Sequence, residues 1–429
     1  MDAGGQPLAV GGEAGPTAAA PDTLRARFVR VRALTRALLA PLTEADACAQ
    51  SMPDASPAKW HAAHTTWFFD TFLLVGILGA RPTRPAWDAL FNSYYLGLGR
   101  AIHPRPERGL LTRPSLAEVI GWHAEVEGAV EAAWGRLDAD ARAVVATGLA
   151  HEEQHQELLL SDLLHLMSCN PLAPAVLPAP PAPAGEAAPL AWIGHPGGVV
   201  SVGAGADGFA FDAERPRHEA LLRPFALAGR AVTNAAWAEF IADGGYTTPA
   251  LWLSDGWAWV RREGVAAPLH WREDGMEMTL AGPLPRHPDA PVAHVSHYEA
   301  DAFATWAGAR LPTEAEWEAA AAGADPDSGN QLDGARHAPR PAPAPAATGP
   351  AQLFGDVWEW TGSAFLPHPG FRPAAGLLGE YNGKFMSGQM VLKGGSCATP
   401  RGHLRASYRN FFPAHARWQW SGLRLARDA

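Results

Sequence analysis

The sequence predicts a protein of two domains, a helical bundle followed by a loop-rich domain of mixed helices and strands. A chain of 429 residues, 47% of them hydrophobic, is longer than one compact core of typical size. Its first part repeats apolar residues at intervals of three and four, as amphipathic helices do. A segment rich in proline and alanine then leads into short apolar runs, many glycines and tryptophan-rich loops.

The helical part is expected between residues 23 and 170, with four long helices that form a bundle. The first is predicted by "DTLRARFVRVRALTRALLAPL". The second begins after a Ser-Pro pair in "SPAKWHAAHTTWFFDTFLLVGIL". Ser115 and Glu118 have the spacing of a capping box at the start of the third. The fourth contains "LAHEEQHQELLLSDLLHL".

The remaining segments complete the predicted organisation. Residues 1–22 lack a basic stretch followed by an apolar one, so we expect a disordered leader. Residues 171–189 are expected to be a Pro/Ala linker that forms no helix and need not pack. Residues 190–429 are expected to form the α+β domain, with helices at "TNAAWAEFIADGG" and "SHYEADAFATWAGA". A second Pro/Ala run, "HAPRPAPAPAATGP", is expected to be a surface insertion in that domain.

Composition limits the partners. A net charge of -10 without a run of basic residues argues against nucleic acid. No stretch approaches the roughly 20 apolar residues of a membrane span. Cys48, Cys169 and Cys397 are too far apart in sequence for a disulfide framework, which fits the cytoplasm. We also expect a monomer or small homo-oligomer.

The fourth helix carries His151 and His155 four residues apart. On a helix this spacing separates side chains by only about 40° around the axis and about 6 Å along it, so both imidazoles can bind one metal ion. Without a third ligand, ordinary surface or capping positions on a charged helix would be the better explanation of this pair. The second helix offers either His61 or His64, and three neutral imidazoles suit zinc or ferrous iron. Glu157 points elsewhere, either as a hydrogen-bond partner near the metal or as a solvated carboxylate.

Several segments together resemble one family. They are "SPAKWHAAHTTWFF", "HEEQHQE", "QLFGDVWEWTGS", "VLKGGSCATP" and "SYRNFFPAHARWQWSGLRLA". The chain from about residue 23 to 426 resembles the ergothioneine-type sulfoxide synthases. The resemblance implies a DinB-like four-helix bundle followed by a C-type-lectin-like domain of the formylglycine-generating-enzyme, or sulfatase-modifying factor, fold.

The resemblance also implies a cofactor and a reaction. Non-haem Fe(II) would be held by His64, His151 and His155, where His64 is the histidine of the family's W-x-x-x-H segment. O2 would be the co-substrate of an iron-dependent oxidoreductase. The enzyme would join a cysteine sulfur to C2 of the imidazole of hercynine (Nα-trimethylhistidine) and oxidise that sulfur to a sulfoxide. Three protein ligands would leave metal positions for thiolate, imidazole and O2.

Further residues match the family's substrate positions. Tyr94 and Tyr95 correspond to a tyrosine pair, one of which is the predicted proton donor, although packing between helices would also explain them. Gln154 resembles the residue that contacts the imidazole of hercynine. Asn410 matches the position that holds the carboxylate or trimethylammonium end of the substrate.

Only a few residues bear on the identity of the sulfur donor. Phe411 and Phe412 present aromatic faces that can hold a quaternary ammonium. An acidic residue is absent at Phe412, which departs from the branch that uses γ-glutamylcysteine and favours free cysteine. Arg105 and Arg108 can form a fork on a substrate carboxylate, with ordinary surface charges as the alternative.

Three alternatives stand beside this prediction. A selenoneine synthase, which joins a selenosugar to hercynine, would share every iron ligand. Formylglycine generation needs a close pair of cysteines, whereas Cys397 is alone in the second domain, which effectively excludes it. A binding protein without chemistry would not need three metal ligands.

Overall fold

A computed structural model describes residues 23–93, 95, 102–181, 185–332, 337–343, 349–374 and 383–429. Within these ranges, no helix combines the length and apolarity that crossing a membrane requires. The element order confirms the predicted fold class, since helices fill the first part of the chain and all the strands follow it.

The first domain contains the four predicted long helices. Two short helices lie between them, and a π-helix at Phe69–Val75 continues the second long helix directly. The helices are α1 (Thr23–Leu39), α2 (Glu44–Cys48), α3 (Ala58–Phe68), α4 (Asp88–Phe91), α5 (Leu116–Ala133) and α6 (Ala139–Ser168). The predicted capping box is confirmed at α5, where the Ser115 hydroxyl accepts from the Glu118 amide and the Glu118 carboxylate accepts from the Ser115 amide.

A close approach brings α6 against the start of the π-helix. At Gly148 a Cβ atom would come within 2.8 Å of the Phe69 ring and 2.9 Å of the Phe68 ring. Any side chain there would push the helices apart by displacing buried aromatic rings. Gly148 therefore allows α6 to lie close to α3, one turn before His151.

The second domain combines short helices with four small sheets. The predicted helices are confirmed as α7 (Asn234–Ala242) and α9 (His297–Trp306), beside α8 (Ser254–Glu263) and α10 (Glu314–Ala320). The strands are β1 (Trp192–His195), β2 (Gly198–Val202), β3 (His218–Leu222), β4 (Phe225–Ala228), β5 (Met276–Thr279), β6 (Gly282–Pro285), β7 (Trp358–Ala364), β8 (Gln389–Lys393), β9 (Asn410–Pro413), β10 (Ser421–Leu423) and β11 (Ala426–Asp428). One sheet has the strand order β1-β4-β11, another has β10-β7-β8-β9, and β2–β3 and β5–β6 are two-stranded.

The two domains share buried surface. Cys397 and Trp420 of the second domain belong to the same apolar cluster as the bundle core. We expected that the Pro/Ala segment need not pack, and this expectation is wrong for Val176 and Leu177. The amides of Val176 and Leu177 both donate to the Leu280 carbonyl, at 2.8 and 2.9 Å, and both side chains pack against the apolar cluster that the two domains share.

Candidate active site

Helices α3 and α6 bring three histidines together. His64 comes from α3, and His151 and His155 from α6. One ring nitrogen of each lies within 4.8 Å of the other two, and among the described residues this is the group of histidine, cysteine and carboxylate side chains with the spacing of a metal site. Ring centroids are 4.6 to 4.8 Å apart. We call these residues the histidine triangle.

The orientation of His64 is set by its surroundings. Its Nδ1 lies 2.5 Å from the carbonyl oxygen of Phe91. Because a carbonyl only accepts, Nδ1 carries the hydrogen and Nε2 keeps the lone pair that a metal requires. The ring is stacked with Trp60, at 4.6 Å between centroids, and with Trp67, at 5.9 Å.

Burial keeps the triangle uncharged. It lowers the pKa of His151 to about 3 and holds the pKa values of His64 and His155 well below their usual range. Neutral imidazoles are the form that binds metal. Three of them, with no carboxylate in the set, fit ferrous iron or zinc as the sequence predicts.

The other histidine of α3 lies beside the triangle. His61 Nδ1 is 2.9 Å from Nδ1 of His155, and His61 Nε2 is 3.0 Å from a carboxylate oxygen of Asp162. The sequence left His61 and His64 as alternative ligands. The structure puts His64 in the triangle and His61 in contact with one of its members.

A cavity of about 490 Å³ lies between the two domains and reaches His155. The bundle contributes polar groups to its wall, whereas the second domain contributes mainly aromatic rings. Its lining includes Ser56, His61, Arg105, Arg108, Gln154 and His155 from the bundle, and Trp358, Tyr408, Asn410, Phe411, Phe412 and Trp418 from the second domain. All six residues that the sequence assigned to substrate binding lie on this wall.

Gln154 projects into the interface between the domains. Its Nε2 donates to the hydroxyl of Tyr408 at 2.6 Å. Its Oε1 is buried and accepts no hydrogen bond from the part of the chain that the structure describes. The cavity wall therefore carries an unused acceptor beside His155.

The two arginines differ. Arg105 is exposed, and its guanidinium lies 3.9 Å from a carboxylate oxygen of Asp54. Arg108 is buried, donates to Ser56 Oγ at 2.8 Å, and lies 3.3 Å above the centre of the Trp60 ring. Arg108 is thus part of the cavity wall, and Arg105 lies at its rim.

Aromatic rings form the opposite wall. Phe411 stacks on Phe365, with 4.1 Å between centroids, and lies near Phe385 at 5.9 Å. Phe412 meets Trp418 edge to face at 5.6 Å. Asn410 Oδ1 accepts from the Phe411 amide at 2.9 Å. Strand β9 thus presents the amide of Asn410 and both phenylalanines to the cavity.

The tyrosine pair is described only in part. Tyr94 lies outside the described residues. Tyr95 is fully buried and packs against Trp67 and Phe72, with centroids 5.7 and 4.9 Å apart. The described lining of the cavity does not include Tyr95. Packing between helices, the alternative explanation for one of the two tyrosines, thus accounts for Tyr95.

Glu157 differs from both sequence interpretations. It is buried and accepts from Trp358 Nε1 at 2.7 Å, Ser396 Oγ at 2.5 Å and Thr399 Oγ1 at 2.7 Å. Burial raises its pKa. It joins α6 to the second domain instead of supporting a histidine or facing solvent.

Sequence reasoning missed Tyr408 and Asp162. Tyr408 holds Gln154, and Asp162 holds His61. Tyr408 lies 254 residues from its partner, and no local pattern indicates that contact. Asp162 is seven residues after His155, two helical turns along the same face, so the spacing could have indicated a carboxylate near the histidines.

The cysteines offer no reactive pair. All three are free, and Cys397 is buried. Burial holds the pKa of the Cys397 thiol well above its ordinary value. This agrees with the exclusion of formylglycine generation.

Comparisons with known proteins agree with the two-domain interpretation. The family model of the sulfatase-modifying factor enzyme 1-like domain matches residues 187–344 and 329–429, and the DinB superfamily model matches residues 27–159. A hercynine oxygenase from Mycobacterium tuberculosis is 37% identical, over 95% of this chain and 99% of that protein. Another from Mycolicibacterium thermoresistibile is 36% identical, over 88% of each chain. A formylglycine-generating enzyme from Streptomyces coelicolor is 38% identical but covers 35% of this chain and 54% of that enzyme.

Proposed function

Because the chain belongs to the hercynine oxygenase family, we propose that it joins a thiol sulfur to C2 of the hercynine imidazole and forms a sulfoxide, in ergothioneine biosynthesis. Family membership indicates the class of reaction, an oxygen-dependent modification of hercynine by an oxidoreductase. The use of Fe(II), the new C–S bond and cysteine as sulfur donor are the parts that we propose.

The observation that supports iron is the histidine triangle beside the cavity. Its imidazoles are neutral and within 4.8 Å of one another, and His155 belongs to the cavity wall. When bound, Fe(II) supplies the electron transfer by which O2 oxidises the sulfur donor. The surrounding residues then have to bind two substrates, orient them and exclude water.

Gln154 is suited to the imidazole of hercynine. Its Oε1 can accept from an imidazole N–H, because its Nε2 is already committed to Tyr408. That bond also restrains the Gln154 side chain, which lowers the cost of ordering it when substrate binds. Gln154 would hold the imidazole near His155.

The aromatic wall is suited to the trimethylammonium group. A quaternary ammonium has no N–H to donate and is held by ring faces and apolar contact. Phe411 and Phe412 offer such faces, and Asn410 lies beside them on the same strand. In this proposal the two ends of hercynine contact opposite domains.

Arg108 is suited to a substrate carboxylate. Its guanidinium is buried, and its contacts with Ser56 and Trp60 restrain it. A carboxylate bound there would meet a fixed positive charge in a site of low dielectric. Arg105, at the rim, would add charge at the entrance. The proton donor stays assigned to Tyr94 or Tyr95 as a prediction.

The relatives' names offer no support for the selenoneine alternative. A cytoplasmic location and a monomer or small homo-oligomer stay predictions.

The proposal is tested with protein purified without oxygen and loaded with Fe(II). Hercynine and O2 are supplied with cysteine, γ-glutamylcysteine or a selenosugar in parallel, and products are identified by mass. We expect the cysteine sulfoxide adduct as the main product, and none without iron. A selenium adduct alone, or equal product formation in metal-free protein, would overturn the proposal.

A further inference from the structure

A chain of hydrogen bonds leads from the histidine triangle to the second domain. His155 Nδ1 lies 2.9 Å from Nδ1 of His61, and His61 Nε2 lies 3.0 Å from Oδ2 of Asp162. Asp162 Oδ1 in turn accepts from the indole nitrogen of Trp418 at 2.9 Å. His61 and Asp162 are both buried. Neither was needed to explain the triangle itself.

The direction of each hydrogen bond follows from the carboxylate. An ionised carboxylate only accepts, so the Nε2 atom of His61 carries a hydrogen. A neutral His61 then has its lone pair on Nδ1 and accepts from His155. The hydrogen of His155 is therefore on Nδ1, and its Nε2 is left as the ligand atom.

The same bonds argue against His61 as a fourth ligand. Both of its ring nitrogens are engaged, one with Asp162 and the other with His155. A metal ion bound to His61 would have to break one of these contacts.

The Asp162 carboxylate is held rigidly enough to fix the direction of these hydrogen bonds. Its Oδ2 also accepts from the Ser56 amide at 2.7 Å. The carboxylate as a whole therefore receives donors from the bundle and, through Trp418, from the second domain. Three donors around one buried carboxylate leave it little freedom to turn. Trp418, by contrast, reaches Asp162 only if the second domain is docked on α6.

We propose that His61 and Asp162 are positioning residues that hold His155 in the tautomer and orientation required for metal binding, and that Trp418 couples this to docking of the second domain. The inference rests on the proposed metal centre. It adds a dependence of metal affinity on residues that do not touch the ion. Loss of such partners typically costs about 10- to 100-fold in metal affinity.

The test measures Co(II) binding to the metal-free full chain, by titration and by the absorption of the bound ion. His61→Phe keeps the ring volume and removes the acceptor, and we expect its Co(II) affinity to fall about 10- to 100-fold. His61→Asn retains an oxygen near the position of Nδ1, and we expect it to restore most of the affinity. A role in packing alone predicts the opposite order, since Phe fills the site better than Asn.

Two further variants extend the test. Trp418→Phe removes the indole donor to Asp162, and we expect a smaller loss of Co(II) affinity. His165→Phe is the matched control, because His165 also lies on α6 but contacts Ser51 outside the cavity. Its Co(II) affinity should equal that of the unsubstituted protein. Thermal melting of each metal-free variant shows whether it is folded.

The outcomes separate the two proposals. No Co(II) binding by the unsubstituted protein would overturn the metal centre itself. Normal binding by folded His61→Phe, or binding by His61→Asn as weak as by His61→Phe, would overturn the positioning role only. If His61→Phe does not fold, His61→Leu, which also lacks both ring nitrogens, decides: weaker Co(II) binding supports the proposal and unchanged binding overturns it.

Discussion

The two faces of helix α6 contact different parts of the protein. One face carries His151 and His155 and meets α3, where His64 completes the triangle. The other carries Glu153, Gln154 and Glu157 and meets the second domain. There Glu153 lies 3.0 Å from His403 Nδ1, and Gln154 and Glu157 are bonded to Tyr408 and Trp358. We call these the ligand face and the docking face.

One helix thus contributes both to the proposed metal centre and to the cavity. The ligand face depends on contacts inside the bundle, whereas the docking face depends on partners more than 200 residues away in sequence. Most buried polar groups in proteins have a hydrogen-bond partner. On the docking face, Glu153, Gln154 and Glu157 find theirs in the second domain, and docking of that domain also completes the cavity wall.

Loss of the ligand face should have the largest effect. In His151→Ala one of three ligands is missing, and we expect no stoichiometric iron and a fall in product formation of at least roughly 1,000-fold, or about 4 kcal/mol of barrier. Iron analysis and product mass measure both. His165→Ala, on the same helix, should retain iron. Normal turnover by His151→Ala would contradict the ligand assignment.

Loss of the docking face should instead lower stability. Glu157→Leu leaves three donors without their acceptor, and we expect the free energy of unfolding in urea to fall by about 3 kcal/mol. Glu157→Gln keeps an acceptor and should lose less. The ligand face is intact in both, so folded protein should still bind iron. A Leu variant as stable as the unsubstituted protein would refute the docking role.

Acid should weaken the domain that docks on α6. Burial lowers the pKa of His294 to about 3 and that of His297 to about 4 from an ordinary value of 6.5. Below about pH 6.5 the unfolded chain therefore takes up protons that the folded chain does not. Each imidazole should cost about 2 kcal/mol of unfolding free energy between about pH 7 and pH 5.

Urea unfolding of the metal-free protein at both pH values measures this loss. His297→Phe removes one of the two imidazoles. The loss of unfolding free energy between about pH 7 and pH 5 should then be smaller by about 2 kcal/mol. A pH dependence identical to that of the unsubstituted protein would show that His297 is not buried in its neutral form.

The smallest expected effect lies where the docking face meets substrate. Tyr408→Phe removes the hydroxyl that holds Gln154, a loss of about 1 kcal/mol, and we expect the KM for hercynine to rise about fivefold. Iron content and kcat should change little. Steady-state kinetics with varied hercynine measure both constants. A fall in kcat with unchanged KM would point to a role for Tyr408 in the chemistry itself.

Local patterns in the sequence were enough to predict the ligand face. Helical periodicity, the Ser115–Glu118 capping box and the four-residue spacing of His151 and His155 are local patterns, and α5 and α6 form as they predict. Local spacing decides which side chains share a helix face, because the helix has a constant rise and turn. The resemblance to a known family then indicated His64 as the third ligand and the residues that are proposed to bind substrate.

The docking face, in contrast, became apparent from the packing of the two domains. Glu157 was expected near the metal or in solvent but binds the second domain, while Tyr408, Asp162 and Trp418 had no assigned role until their partners were visible. The same holds for His61 against His64, which lie one helical turn apart and differ in which neighbour each ring meets. Such partners are set by how two domains pack, and packing joins positions whose distance in sequence carries no periodic signal.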